Sequence, residues 1–315
     1  MDLSIIIVNW NTRELVCDCL RSLPAATAGL ACEVLVVDNA SGDDSVPVIQ
    51  RKFPHVRVIE TGENLGFAGG NNRALAQAGG DMILLLNPDT VCPPGSLVRL
   101  VSFARRHENL AAVGPRLVDR ELRPTLSWGF FPRLRDHWLG FLDPRRIFLR
   151  GPLAKRIVVA PPRSMPSCPV DYVVGACLLM PREALTRIGL LDERFFLYFE
   201  ETDWCYRARQ AGMEVWYCSE CEVVHLEGQA AAKASTFSTR QFQVSYRAFV
   251  AKHYGRSRVW LYRLAQFAEF GLKALLHALA PRNRSHHAAL TRHLWLKARL
   301  QLINNLEVEV PTGTC

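Results

Sequence analysis

Apolar residues in this chain fall into short unbroken runs separated by longer stretches of helical period. Leu3 to Val8, Glu33 to Val37, Val56 to Ile59 and Met82 to Leu86 are such runs, and each ends in turn-forming or polar residues. Short apolar runs bounded in this way predict strands buried on both faces, as in a parallel sheet. Between them the pattern predicts three helices. The first runs from a Thr12 cap to Leu23 with Pro24 behind it as a stop, the second from Asp43 or Asp44 to Phe53–Pro54, and the third from a glycine-rich entry to about Gly79. This alternation predicts βαβ units.

Further along, Pro94 to Arg106 reads as a helix and Ala112 to Val118 as a strand. Trp128 to Pro169 interleaves prolines and aromatic side chains with basic residues, and predicts a long excursion that contacts something outside the core. Val170 to Met180 returns to strand character around Gly175 and Ala176, where small residues let a ligand come close. A short helix over Pro181 to Ile188 precedes a second over Glu200 to Gln210, stopped by Gly212; Glu214 to Tyr217 and Glu222 to His225 read as two short strands.

Beyond these, polar residues recur at 263, 266, 269, 273 and 277, opposite Leu261, Leu264, Phe267, Leu272, Leu275, Leu276 and Leu279. Such spacing predicts an amphipathic helix, broken at Pro281 and followed by a basic helix over about 286–304. No apolar run reaches the roughly 18–20 residues of a spanning helix. The expected organisation is an α/β domain over 1–255, with a nucleotide-binding half (1–110) and an acceptor half (111–255), and a helical extension over 256–315.

The chemistry gathers at the carboxyl ends of the expected strands. Asn9 and Asn11 follow the first, Asp38 and Asn39 the second, Asn87 and Asp89 the fourth. In open α/β sheets this edge is where ligands bind. An amide and a carboxylate two residues apart are hard-oxygen ligands for a divalent cation that carries phosphates. Glycines 62, 66, 69 and 70 do not form GxGxxG, which argues against NAD or FAD, although glycines at a helix entry let backbone N–H groups approach a diphosphate. Glu200, Glu201 and Asp203 follow the apolar run FFLYF. Carboxylates delivered beside buried aromatics are candidates for a raised pKa and base catalysis. His225 ends its strand as a core histidine, or as a ligand if Asp89 holds a metal.

Composition adds three points. The 315 residues are 49% hydrophobic, enough for a sizeable core, and the ten cysteines are scattered as expected of reduced cytosolic thiols. The start of the chain lacks a basic region followed by a small-residue cleavage site, which argues against a signal peptide. Of the net charge of +8, residues 251–300 carry +9. Such a segment attracts anionic lipid or another phosphate-bearing partner. A nucleic-acid partner is argued against by the carboxylates at the sheet edge.

Taken in order, SIIIVNWNT, VVDNASGDDS, ENLGFAGGNNRAL, LLLNPDT, VGACLLMPREAL and FFLYFEETDWCYRARQAG resemble the family 2 inverting glycosyltransferases of the GT-A fold, in the rhamnosyltransferase-like branch. The resemblance covers about residues 3–255. It implies a mostly parallel central sheet flanked by helices and transfer of a sugar from a dTDP- or UDP-sugar to a glycan or lipid-linked acceptor. By that resemblance Asp38 holds the nucleotide base, Asn9 and Asn11 line its pocket beside Asn39, and Asn64, Gly70 and Asn71 lie near ribose and diphosphate. Asn87 and Asp89 stand in the place of the family's metal motif, completed by His225, with Mg²⁺ or Mn²⁺ as the cofactor. Glu201 matches the catalytic base, with Glu200 and Asp203 beside it. The implied location is cytoplasmic, at the inner face of the membrane. A non-catalytic nucleotide-sugar-binding scaffold is the competing expectation.

Overall fold

The structure is a computed structural model that describes residues 1–134, 158–226, 235–279 and 294–302. The strands are β1 (Leu3–Asn9), β2 (Cys32–Asp38), β3 (Arg57–Glu60), β4 (Met82–Leu86), β5 (Thr90–Val91), β6 (Leu110–Val118), β7 (Trp128–Gly129), β8 (Val158–Val159), β9 (Cys168–Pro169), β10 (Tyr172–Val173), β11 (Cys177–Pro181) and β12 (Glu214–His225). The helices are α1 (Arg13–Ala26), α2 (Ser45–Lys52), α3 (Gly66–Leu75), α4 (Ser96–Arg105), α5 (Arg182–Ile188), α6 (Glu200–Gln210), α7 (Ser235–Tyr254), α8 (Arg256–Leu279) and α9 (294–300).

The main sheet runs β3-β2-β1-β4-β11-β6-β12-β5, with β9 added beside β12. β3, β2, β1 and β4 are mutually parallel. β11 is antiparallel to both of its neighbours, and β12 is parallel to β6. The apolar runs read from the sequence are the central strands because they have no solvent face: Leu3, Ile5, Ile6, Ile7, Leu35, Val36, Leu84 and Leu85 are all fully buried. Each such side chain contributes roughly 1.5–3 kcal/mol relative to exposure. A second, three-stranded sheet, β10-β7-β8, belongs to the same compact unit. That unit comprises 1–131, 158–234 and 310–315; a separate helical unit comprises 132–157 and 235–309.

Three local expectations are revised. Pro24 lies inside α1 and does not stop it. One missing N–H near a helix end costs one bond, and Thr27 closes the helix by donating both its N–H and its hydroxyl to Leu23 O. The Val170–Met180 stretch is two strands, because Val174 donates its N–H to Ser127 O and the chain turns at Gly175–Ala176 before β11 enters the main sheet. The two strands over 214–225 are one, paired to β6 on both sides of an irregularity between Cys218 and Glu222. The break falls opposite Pro115 and Arg116, where proline has no N–H for the ladder.

In the helical unit, α7 was not foreseen. The second basic helix is described only over 294–302; the rest of it, and the excursion over 135–157, lie outside the described residues. Two members of the polar stripe of α8, Arg263 and Gln266, turn inward. Gln266 is 3% exposed and Arg263 Nε donates to Gln301 O at 2.7 Å, whereas Trp260, Leu264 and Leu275 are among the most exposed large apolar side chains.

Candidate active site

The parallel register sets Asn9 directly against Asp38 at the carboxyl ends of β1 and β2. Asn9 Nδ2 donates to Asp38 Oδ1 at 2.8 Å and to Ser41 Oγ at 3.0 Å, while Thr12 Oγ1 donates to Asn9 Oδ1 at 2.7 Å. Thr12 is therefore engaged with the strand end and makes no side-chain cap on α1. Asp38 Oδ2 accepts from Ser41 N–H at 2.8 Å, and Asn11, in the left-handed region at φ 53, accepts from Gly42 N–H at 2.7 Å. These bonds hold one wall of a 360 Å³ cleft lined by Asp38, Ser41, Asp44, Glu60, Val46 and Pro47, among others. Its size and its mix of carboxylate, hydroxyl and apolar side chains suit a nucleotide base.

Asn39 reaches the other way. Its Nδ2 donates to Gly66 O at 2.9 Å, and its buried Oδ1 has no hydrogen-bond partner among the described residues. Asn64 Oδ1 accepts from Gly66 N–H at 3.0 Å and so shapes the entry to α3. Gly70 packs α3 against β1: a Cβ there would lie 2.9 Å from Val8 Cγ1. Asn71 is buried and donates to Phe67 O inside its own helix. These contacts give Gly70 and Asn71 packing roles.

At the end of β4, Asn87 N–H donates to Ala176 O at 2.9 Å, and Thr90 Oγ1 returns to Asn87 O at 2.7 Å. The short β5 then pairs with β12 so that His225 lies opposite Thr90. This pairing places His225 Nε2 3.3 Å from Asp89 Oδ1, and Leu226 N–H on Asp89 O at 2.9 Å. Asp89 Oδ1 is buried and receives no well-formed hydrogen bond among the described residues. A buried carboxylate oxygen in that condition beside an imidazole suits a divalent cation. Among the described residues no group of three or more His, Cys, Asp or Glu converges. Asp89 and His225, with the Asn87 amide as a further oxygen, would leave the remaining positions of such a cation to water and phosphate oxygens, as Mg²⁺ commonly requires.

The acidic helix is delivered by strained backbone. Tyr198 and Phe199 sit in the left-handed region at φ 67 and 71, immediately before Glu200 begins α6. Two consecutive bulky residues there carry a cost that clusters at functional sites. Glu200 is buried, and the Oε2 atoms of both Glu200 and Glu201 lack hydrogen-bond partners among the described residues. Burial pushes both carboxyls above their usual range. Glu200 goes further, because the Glu201 charge adds to its burial, whereas the backbone N–H groups of Glu201 and Thr202 favour the ionised form of Glu201. Asp203 is fully buried in an ion pair with Arg207 at 2.9 Å, and Arg207 also donates to Ile188 O and Leu190 O. Asp203 braces α6 against the end of α5.

The metal-side and acidic groups meet through one turn. Ala176 O accepts from Asn87, and the adjacent Gly175 lies where a Cβ would be 3.6 Å from the Glu201 side chain. A strap joins the acidic helix to α3. Asn72 Nδ2 donates to Leu191 O and to Glu193 Oε1, each at 2.9 Å, Leu191 N–H donates back to Asn72 Oδ1, and Phe67 N–H donates to Phe196 O at 2.8 Å. At Gly66, φ is +71 and a Cβ would stand 2.2 Å from Phe196 O. Gly66→Ala is expected to cost roughly 3 kcal/mol or more and lower Tm by several degrees, with Gly62→Ala, which has open space around it, clearly milder in thermal denaturation.

Ser41 and Asn72 were not singled out from the sequence, and Thr12 was read there only as a helix cap. Ser41 lies within VVDNASGDDS and could have been found there; Asn72 acts across 119 residues of chain and had no local signal.

The family model described as glycosyl transferase family 2 matches residues 4–153. An N-acetylglucosaminyl-diphospho-decaprenol L-rhamnosyltransferase of Mycobacterium tuberculosis is 30% identical over 226 residues, 65% of this chain and 70% of that protein. The low-salt glycan biosynthesis hexosyltransferase Agl10 of Haloferax volcanii is 28% identical over 230 residues, 71% of this chain and 67% of that protein. The fold is shared with a Pyrobaculum calidifontis mannosyltransferase solved with GDP-Man and Mn²⁺, at TM-score 0.59 and 14% identity over 95% of this chain and 86% of that one. Six motifs in order, an α/β sheet with polar strand ends gathered on one edge, and these relatives lead to one conclusion: the chain belongs to the family 2 glycosyltransferases, in their rhamnosyltransferase-like branch, with the GT-A fold.

Proposed function

We propose that this glycosyltransferase moves a hexose, L-rhamnose as first candidate, from a dTDP- or UDP-sugar to a hydroxyl of a glycan or lipid-linked acceptor in cell-surface polysaccharide synthesis, with inversion at the anomeric carbon. The observation that carries this reading is the meeting of the Asp89–His225 pair and the Glu200–Glu201 pair through the Gly175–Ala176 turn. It joins a site for a leaving diphosphate to a site for acceptor activation.

In this reading residues 1–110 recognise the nucleotide and residues 111–255 activate the acceptor. Asp38 accepts a hydrogen bond from the base, in a pocket formed with Asn9, Asn11 and Ser41, and Asn39 and Asn64 shape the diphosphate side. Asp89 and His225, with the Asn87 amide nearby, would hold Mg²⁺ or Mn²⁺, which supplies charge neutralisation for the leaving diphosphate when bound. Glu201 removes the proton of the acceptor hydroxyl as its oxygen attacks the anomeric carbon from the face opposite the diphosphate, whose bond to that carbon breaks. The Mycobacterium tuberculosis relative, named for a lipid diphosphate acceptor, supports a peripheral place on a membrane. No helix among the described residues is long and apolar enough to cross one.

A thermal-shift panel of dTDP-, UDP- and GDP-sugars with and without Mn²⁺ tests this. Stabilisation by a pyrimidine nucleotide-sugar, larger with Mn²⁺, is expected. No shift with any donor would favour a non-catalytic scaffold.

A further inference from the structure

The helical unit carries a polar seam inside, beside buried apolar residues such as Tyr246, Phe249 and Tyr262. Gln301 Nε2 donates to Gln243 Oε1 at 2.8 Å, Arg247 donates to Leu300 O, and Arg263 donates to Gln301 O. Gln241, Gln243, Ser245, Gln266 and Gln301 are all buried. Burial, with Arg263 nearby, brings the Arg247 guanidinium down to about 10. Gln241 also donates to Ser245 Oγ, so the amides of this seam are paired inside the unit, which makes their burial tolerable.

One apolar stripe of α8 points out, while Tyr262, Ala265 and Ala274 of the same helix are buried. Trp260, Leu264, Gly271 and Leu275 follow one another at steps of four, seven and four, which is one stripe of a helix. Trp260 is 58% exposed and Leu275 51%. Leu275 continues into an open apolar groove of 380 Å³ formed with Phe267, Gly271 and Leu272 of α8 and Trp295 of α9. A Cβ on Gly271 would meet nothing within 4 Å, so the groove is open at that point. Each exposed tryptophan has an exposed arginine one helical turn away on its own helix, Arg256 beside Trp260 and Arg299 beside Trp295. Lys297 lies over the Phe270 ring, and residues 251–300 carry a net +9.

An apolar stripe bordered by cations, with tryptophans along it, matches a lipid bilayer interface that bears anionic headgroups: the rings sit at headgroup depth, the aliphatic side chains below them, and the guanidinium groups on the phosphates. We propose that the α8–α9 face, centred on Trp260, Leu264, Leu275 and Trp295, is the surface by which this protein docks on an anionic membrane. The proposal names the surface for the peripheral membrane location inferred above. It rests on that reading only for its purpose, since lipid binding is measurable without donor or acceptor.

The test is co-sedimentation of the full-length protein with vesicles of phosphatidylcholine alone or mixed with phosphatidylglycerol. Wild type is expected to sediment with the mixed vesicles and to be released by salt. The double substitution Leu264→Glu and Leu275→Glu, and separately Trp260→Ser with Trp295→Ser, are expected to weaken partitioning by about tenfold or more. Donor-induced thermal stabilisation and helical circular dichroism should stay at wild-type values. Unchanged vesicle binding by both variants would overturn the proposal. So would a wild-type protein that ignores vesicles and runs as a dimer which the same substitutions dissociate, because the face would then meet a second copy. Vesicle binding in a protein that no nucleotide-sugar stabilises would uphold this surface while rejecting the transferase reading.

Discussion

Glu201→Gln is expected to lower sugar transfer by about 100- to 10,000-fold, the range typical of losing a general base, while leaving nucleotide-sugar binding close to wild type. The amide keeps the size of the side chain and its place against Gly175, but cannot take a proton. Glu200→Gln is expected to be milder, because the side chain that lies against the Gly175 turn is that of Glu201. Transfer in the wild type should rise with pH through the elevated pKa of Glu201, and an initial-rate profile from pH 5 to 9 checks this.

The same residues give a stability prediction of opposite sense. A carboxyl whose pKa is higher folded than unfolded favours folding below its unfolded value, here near 4.5, and that contribution is lost as pH rises through the folded value. Either glutamine variant is therefore expected to melt higher than wild type at pH 8, by roughly 2–6 °C if one unsatisfied buried carboxylate costs about 1–2 kcal/mol. The difference should close near pH 4.5. A Glu201→Gln enzyme with near-normal turnover would move the base elsewhere, and Asp203 would be a poor heir because Arg207 already holds it.

Asp89→Ala is the second large effect. It removes the carboxylate that follows β4 and lies 3.3 Å from His225 Nε2 at the end of β12. Loss of one such electrostatic contact is expected to cost about 100- to 1,000-fold in transfer, and to abolish the additional stabilisation that Mn²⁺ gives the bound donor. Asn87→Ala should be several-fold at most, since Asn87 is anchored through its backbone: its N–H goes to Ala176 O, and its own carbonyl accepts from Thr90. Transfer that survives both Asp89→Ala and chelation would show that this carboxylate does not act through a metal.

Most of the crevice was legible before folding because it is made of strand ends. Asn9, Asp38 and Asn87 each follow an apolar run, and parallel strands of equal phase bring such ends to one edge. Gly70 and Asn71 were harder to read, because a glycine that admits a phosphate and one that admits a neighbouring strand look the same in one dimension. Here Val8 fills the space. Asn72 could not be found at all, since its partners are far along the chain.

The order of apolar runs and helical periods determined the α/β class, the polar edge of the sheet and the acidic helix start, because those depend on local periodicity and on which residues can end a strand or begin a helix. Only the tertiary structure decided which carboxylate of the acidic cluster is held in an ion pair and which described apolar side chains of α8 meet solvent. Both are questions of partners: Arg207 claims Asp203, and the Gln243–Gln301–Arg263 seam claims the polar side of α8. Such claims arise from long-range packing and side-chain hydrogen bonding, which periodicity does not encode.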